Sequence, residues 1–190
     1  MDNNSEKQRQ LESETRCESE WIYKGRIIAL RSDIMHFKGH PPVRWDFVTH
    51  PGAVAIVPIN SAGNLLLVKQ WRRAIGKITL ELPAGVLEKG EDPLFCARRE
   101  LQEETGFHPG ELISLGGFYS APGFCNEYLH LYLARMLTHN PLPQDDHESI
   151  DLVEISLEDA LKLIDTHQLI DAKTICGILH YARYEAKERA

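Results

Sequence analysis

Residues 85–107, GVLEKGEDPLFCARRELQEETGF, constrain this chain more than any other stretch. Gly85 is followed after a five-residue gap by Glu91, and after a further seven by Arg99, Glu100, Leu101, Glu103, Glu104, Gly106 and Phe107. Asp92 suits a helix N-cap and Pro93 the first helical position. Gly106 tolerates the left-handed conformation that ends a helix. Between them Leu94, Ala97 and Leu101 recur at helical intervals and predict a buried stripe. Glu100 stands three and four residues from Glu103 and Glu104, so the carboxylates share one helical face. Like charges at that spacing repel, and a helix built for stability alone would alternate signs. An acidic solvated face explains the glutamate triplet by itself. It does not explain the glycine, Glu91 and Arg99 at set intervals around it. A hard cation such as Mg²⁺, held by a few carboxylates with substrate phosphates and water, explains all of them.

The chain has 190 residues, enough for one well-packed domain with room for a small appendage. Apolar residues make up 43%, the proportion of a soluble globular protein rather than a disordered one. A formal charge of −7 argues against general nucleic-acid binding, which depends on Lys and Arg to neutralise phosphates. No stable nucleic-acid partner is therefore expected. A small phosphorylated substrate remains compatible, because a metal supplies positive charge locally. Cys17, Cys96, Cys125 and Cys176 are far apart with no CxxC, so they read as reduced thiols rather than a zinc or redox site. No apolar signal core and no membrane-length apolar window appear, so a cytoplasmic location without a membrane partner is expected.

Residues 1–19 are polar and predict a flexible tail. Residues 20–50 predict a small N-terminal antiparallel sheet: aromatic and β-branched runs lie on either side of the Lys38-Gly39-His40-Pro41-Pro42 turn. Residues 51–190 predict the main domain. There, runs at 54–59 and 65–70 flank Asn60-Ser61-Ala62-Gly63-Asn64, a hairpin signature. Further strands are expected at 78–82, 111–119, 128–136 and 152–155. Ser156 and Asp171 cap two closing helices, the second with Ile175, Ile178, Leu179 and Ala182 on its inner face. Strands and helices without regular βα alternation give an α+β class.

The 85–107 stretch resembles the Nudix box, G-x5-E-x7-R-E-U-x-E-E-x-G-U, where U is aliphatic or bulky and apolar. Every fixed position matches, with Phe107 in the last apolar place. The resemblance implies an α/β/α sandwich around a mixed sheet and metal-dependent pyrophosphate hydrolysis, with Mg²⁺ or alternatively Mn²⁺. It implies Glu100 and Glu104 as first metal ligands, Glu103 as a weaker third catalytic carboxylate, and the Ala84 carbonyl as a backbone ligand. Glu91 can orient the helix through Arg99 or backbone amides, or reach a metal through water. Arg99 has donors only, which suits an internal partner for these carboxylates rather than a ligand. A general base from outside the box is implied within Asp145-Asp146-His147-Glu148, with Glu148 first and Asp146 second.

Ser120-Ala121-Pro122-Gly123 places Pro122 sixteen residues beyond Gly106, resembling ADP-ribose pyrophosphatases and related nucleoside diphosphate sugar hydrolases. His50-Pro51-Gly52-Ala53-Val54, Val68-Lys69-Gln70-Trp71-Arg72, Glu81-Leu82-Pro83-Ala84-Gly85 and Asp171-Ala172-Lys173-Thr174 extend the likeness over residues 20–185. It implies hydrolysis to a nucleoside monophosphate and a sugar phosphate, with ADP-ribose as first substrate. It further implies Arg72 on substrate phosphate or ribose, Glu127 near the terminal ribose or metals, Trp45 or Phe37 stacked on adenine, Arg44 on phosphate, and a homodimer formed through the N-terminal sheet. Lys77-Ile78-Thr79 departs from the pattern, with no further arginine there beyond Arg73. The alternatives are a pyrophosphohydrolase of nucleoside triphosphates or RNA 5′ ends, and a non-catalytic nucleotide-sugar sensor.

Overall fold

The computed structural model describes residues 4–143 and 149–189. They form two compact units, one of residues up to His50 together with Ala121–Glu127, the other of Pro51–Ser120 together with residues from Tyr128 onward.

The first unit holds α1 (Asn4–Glu14) and the strands β1 (Arg16–Lys24), β2 (Ala29–His36) and β3 (Val43–Thr49), in the antiparallel order β1-β2-β3. The segment expected as a flexible tail through residue 19 is thus a helix and the start of a strand. Local bonds of helical spacing account for α1: Gln8 donates to Glu12 at 2.6 Å, Gln10 to Glu14 at 2.9 Å, and Arg9 to Glu6 at 3.0 Å. None of its residues is buried, so the polar composition that suggested disorder also suits a solvated helix. The segment 121–127 joins this unit by bonds to the main chain of β3 and of the residue that follows it. The Val48 amide donates to the Phe124 carbonyl at 2.7 Å, and the His50 amide donates to Asn126 Oδ1 at 2.7 Å.

The second unit is organised by β4 (Ala53–Pro58), all six residues of which are buried. It pairs in parallel with β9 (Tyr128–His139) and antiparallel with β7 (Ala84–Val86). The long β8 (Phe107–Tyr119) completes the mixed sheet β7-β4-β9-β8. Strand alternation sends β4 and β9 side chains into two separate cores. Ala55, Val57, Leu131 and Leu133 meet Ala160, Ile178 and Tyr181 from α3 (Leu157–Asp165) and α4 (Ala172–Glu188). Val54, Ile56, Tyr132 and Ala134 meet Cys96, Ala97 and Leu101 from α2 (Pro93–Thr105). Helices therefore cover both faces, giving the α/β/α sandwich around a mixed sheet.

The expected 60–64 turn is present, closed by Asn60 Oδ1 accepting from the Ala62 and Asn64 amides at 3.0 and 2.9 Å. Its strands do not remain a hairpin. β5 (Leu65–Arg72) leaves β4 after the single Ile59–Leu65 bridge and pairs instead with β6 (Lys77–Glu81) and β10 (Ile150–Ile155). The closing helices are capped as their sequences predict. Ser156 Oγ accepts from the Asp159 amide at 3.1 Å, and Asp171 Oδ2 from the Thr174 amide at 3.0 Å.

The inner face of α4 is rotated from the expected one. Thr174, Gly177, Ile178 and Tyr181 are buried, while Leu179 is 43% exposed. Gly177 explains the choice: a Cβ there would lie 2.3 Å from Leu82 Cδ1, so the helix lies close over Leu82 at that position. This face is testable by paired substitutions. Ile178→Ala should cost about 2–5 kcal/mol, the range for emptying a core site. Leu179→Ala should cost under about 1 kcal/mol, as for a surface change. Urea unfolding of both variants checks this, and equal losses would contradict the helix orientation.

Candidate active site

The loop entering α2 is closed by Glu91, whose Oε2 accepts from the Glu88 amide at 3.0 Å. Asp92 caps the helix by accepting from the Leu94 amide at 2.8 Å, and Gly106 ends it at φ 78°. Within this frame Arg99 gathers three carboxylates. Its Nε and Nη2 each donate to Glu91 at 3.0 Å, and its Nη1 donates to Glu100 at 2.6 Å and to Glu103 at 3.1 Å. The hydrogen bond from Arg99 holds the Glu91 carboxyl below the usual carboxylate range, and the same bond raises the Arg99 guanidinium. Arg99 also donates to Cys96 Sγ at 3.4 Å. Burial pushes that thiol up, with Glu100 and Glu91 acting in the same direction, so Cys96 is a protonated packing residue.

Glu104 takes a different partner. It is 7% exposed, and its Oε2 accepts from the Ala84 amide at 2.9 Å. Glu100, one helical turn earlier, lies against the next residue of β7. An ideal Cβ on Gly85 would fall 1.8 Å from Glu100 Cδ and 2.0 Å from its Oε1. Two carboxylates one turn apart thus rest on two consecutive backbone positions, Ala84 and Gly85. This cradle exists only because residue 85 has no side chain. Its hard oxygen donors suit a divalent cation in type. Among the described residues no three His, Cys, Asp or Glu side chains are grouped closely enough to hold a metal, and Glu91, Glu100 and Glu103 are each paired with Arg99.

A second ionic cluster lies on the β5–β6 hairpin. The register pairs Arg72 with Lys77, Gln70 with Thr79 and Val68 with Glu81, so Gln70, Arg72, Thr79 and Glu81 share one face. Glu81 is 2% exposed and accepts from Arg72 Nε at 2.8 Å and Arg72 Nη2 at 2.6 Å. Thr79 Oγ1 and Lys173 Nζ also donate to it. The alternation of strand residues was the available signal for this cluster. Glu81 and Lys173 stand out in the sequence only as parts of longer resembling segments.

The NUDIX domain model matches residues 49–176. The chain belongs to the Nudix family. It is 37% identical over 169 residues to the ADP-ribose pyrophosphatase of Bacillus subtilis (strain 168), covering 88% of this chain and 91% of that protein. It is 36% identical over 178 residues to the methanol dehydrogenase activator of Bacillus methanolicus, covering 93% and 96%. Its fold matches the crystal structure of an ADP compounds hydrolase with a TM-score of 0.81 at 21% identity, covering 92% and 95% of the two chains.

The remaining residues singled out by sequence are distributed unevenly over this Nudix chain. Asp145, Asp146, His147 and Glu148 lie outside the described residues. Phe37, Arg44, Trp45 and Glu127 belong to the first unit. Phe37 and Trp45 meet edge to face at 6.1 Å and line a cavity of about 610 Å³ with Leu11, His40 and Val43. Arg44 is directed elsewhere, donating to Ser32 Oγ at 2.8 Å. Glu127 lies 3.7 Å from His50 Nε2.

Burial alone would raise the Glu81 carboxyl, but the Arg72 hydrogen bonds and the charge of Lys173 hold it at about 2, against an ordinary 4.5. The folded chain therefore binds this proton more weakly than the unfolded chain. The resulting stabilisation is fully present above about pH 4.5 and is lost as pH falls towards about 2. A shift of that size corresponds to about 3 kcal/mol. Unfolding free energies of wild type and Glu81→Gln should differ most near neutral pH and converge between pH 4.5 and 2. A gap that stays constant across this window would exclude the linkage.

Proposed function

We propose that this chain is a metal-dependent Nudix pyrophosphatase that splits ADP-ribose, or a related nucleoside diphosphate sugar, into a nucleoside monophosphate and a sugar phosphate. The observation that carries this is the placing of Glu100 and Glu104 on Gly85 and Ala84. The name of the Bacillus subtilis relative supports the substrate class. Glu100, Glu104 and the Ala84 carbonyl would hold Mg²⁺, or alternatively Mn²⁺, with Glu103 as a third carboxylate. When bound, the metal neutralises charge on the phosphate oxygens and activates water. Arg99 and Glu91 keep the helix and its carboxylates in register with β7. Glu148 takes the proton of the attacking water, with Asp146 as the second choice. Arg72 holds a substrate phosphate, Trp45 and Phe37 stack on the base, and Glu127 meets the terminal ribose; Arg44, which sequence also offered for phosphate, is turned to Ser32 on the other face of β3.

The chain acts in the cytoplasm as a homodimer through its N-terminal sheet. Every residue of β1 is exposed, including Trp21, Ile22 and Tyr23. No described helix is long and apolar enough to cross a membrane. Sedimentation analysis tests the dimer: Trp21→Glu should shift it towards monomer, and a monomeric wild type would exclude it.

The substrate class is tested with ADP-ribose, GDP-mannose, UDP-glucose, NADH, diadenosine polyphosphates, dGTP and triphosphorylated RNA, all with Mg²⁺. ADP-ribose should give the highest kcat/KM, and a preference for dGTP or RNA would favour the triphosphate alternative. Glu104→Gln should lower kcat by about two orders of magnitude, the scale for removing one group that stabilises transition-state charge. Gly85→Ala should also lower kcat while the fold is retained, because its Cβ displaces the Glu100 carboxylate. Near-normal turnover of Glu104→Gln at saturating Mg²⁺ would refute the metal site. The likeness to the methanol dehydrogenase activator favours a second reading, in which the chain stimulates a partner dehydrogenase. Adding the chain to a methanol dehydrogenase and finding no change in rate would dismiss that reading.

A further inference from the structure

We infer that Glu81 and Lys173 are positioning residues for substrate recognition, fixing the Arg72 guanidinium so that its outer N–H groups face a substrate phosphate. This rests on the proposal that Arg72 meets the substrate. Arg72 is the last residue of β5, and its side chain runs back along the sheet face to Glu81, which is paired with Val68 four residues earlier. The clasp uses Nε–H and one Nη2–H. A guanidinium carries five N–H groups, so two on Nη1 and one on Nη2 remain. No described residue accepts from them. The Arg72 side chain is 40% exposed while Glu81 is 2% exposed, which makes a buried anchor beneath an accessible head. The charge of Glu104 also acts on Arg72, so the head lies within electrostatic reach of the box carboxylates.

Lys173 competes with Arg72 for the charge of Glu81, while Asp171 balances Lys173, so the four groups together are neutral. Lys173 shares Glu81 Oε2 and is itself held by Asp171 at 3.0 Å, where Asp171 caps α4. Glu81 therefore divides its charge between two cations, and Arg72 keeps more of its own towards the ligand. An arginine already fixed in a fork geometry also loses less freedom when a phosphate binds.

The test is a double-mutant cycle in steady-state kinetics on ADP-ribose with Mg²⁺, using the full chain. Glu81→Gln should raise KM about tenfold with kcat within about threefold, the pattern for lost ground-state and transition-state binding in equal measure. Arg72→Ala should cost more, and the double variant should be no worse than Arg72→Ala alone. Lys173→Met should raise KM about threefold, and this effect should also vanish in the Arg72→Ala background. An unchanged KM in Glu81→Gln, or a penalty of the same factor with and without Arg72, overturns the inference. Should Glu81→Gln fail to fold by circular dichroism, the Lys173→Met cycle decides by the same criteria.

Calorimetric titration of ADP-ribose in EDTA repeats the cycle as dissociation constants. A wild type that binds ADP-ribose without cleaving it removes the proposed hydrolysis, while the binding cycle still decides the positioning role. A wild type that neither binds nor cleaves it overturns both.

Discussion

The hydrogen bond from the Ala84 amide to Glu104 fixes the distance between helix α2 and strand β7, and the second unit is built to maintain it. Burying a carboxylate is costly unless its charge is met by donors, and here a main-chain N–H at 2.9 Å meets it. That amide stays in place because β7 pairs with β4, with Ala84 opposite Ala55. The helix stays in place because Cys96, Ala97 and Leu101 pack on Val54 and Ile56 of the same β4. One buried strand therefore positions both partners. Its opposite face, through Ala55 and Val57, carries α3 and α4. The core and the candidate active site therefore share this strand.

The two ionic clusters of the second unit have opposite compositions. Around Arg99, one cation serves three carboxylates. Around Glu81, one buried carboxylate serves two cations. The first leaves an excess of negative charge that attracts cations. In the second, Asp171 balances Lys173, so the four groups are neutral together and the exposed head of Arg72 is the part that can meet an anion. A ligand that is itself anionic and travels with a divalent cation satisfies both, and a pyrophosphate is such a ligand.

Much of this was legible in the sequence because the signals were local. Asp92, Pro93 and Gly106 bound α2 where their backbone preferences place its ends, and Ser156 and Asp171 do the same for α3 and α4. Non-local outcomes were not legible. The 60–64 turn looks the same whether its strands stay paired or part into two sheets. That choice belongs to β9, which takes the place beside β4 with a parallel ladder from Ala53 to Pro58. Likewise, nothing in the sequence of 121–127 announces that Phe124 and Asn126 bond to Val48. Leu179 was placed inward by periodicity alone, whereas the close seat of Gly177 over Leu82 sets the rotation of α4. At the site, residue types and spacing identified the carboxylates. Which of them Arg99 would gather, and which the β7 backbone would hold, depended on how β7 is seated on β4, a strand distant in sequence.

The same distinction bears on which arginine reads phosphate. Sequence proposes Arg44 and Arg72 together, with Trp45 stacking on the base. Arg44 and Trp45 are consecutive residues of β3, and a strand sends consecutive side chains to opposite faces. Trp45 turns to Phe37, while Arg44 reaches Ser32 and lies 3.9 Å from Glu20. A ligand stacked on Trp45 therefore lies on the face of the sheet away from Arg44. Arg72 has the better claim, since its backbone and its carboxylate partner are both held by the β5–β6 ladder. Its accessible N–H groups are aimed by a residue that is itself buried. Of the two arginines, Arg72 is the one whose exposed head has a fixed, buried anchor, and Glu81 supplies it.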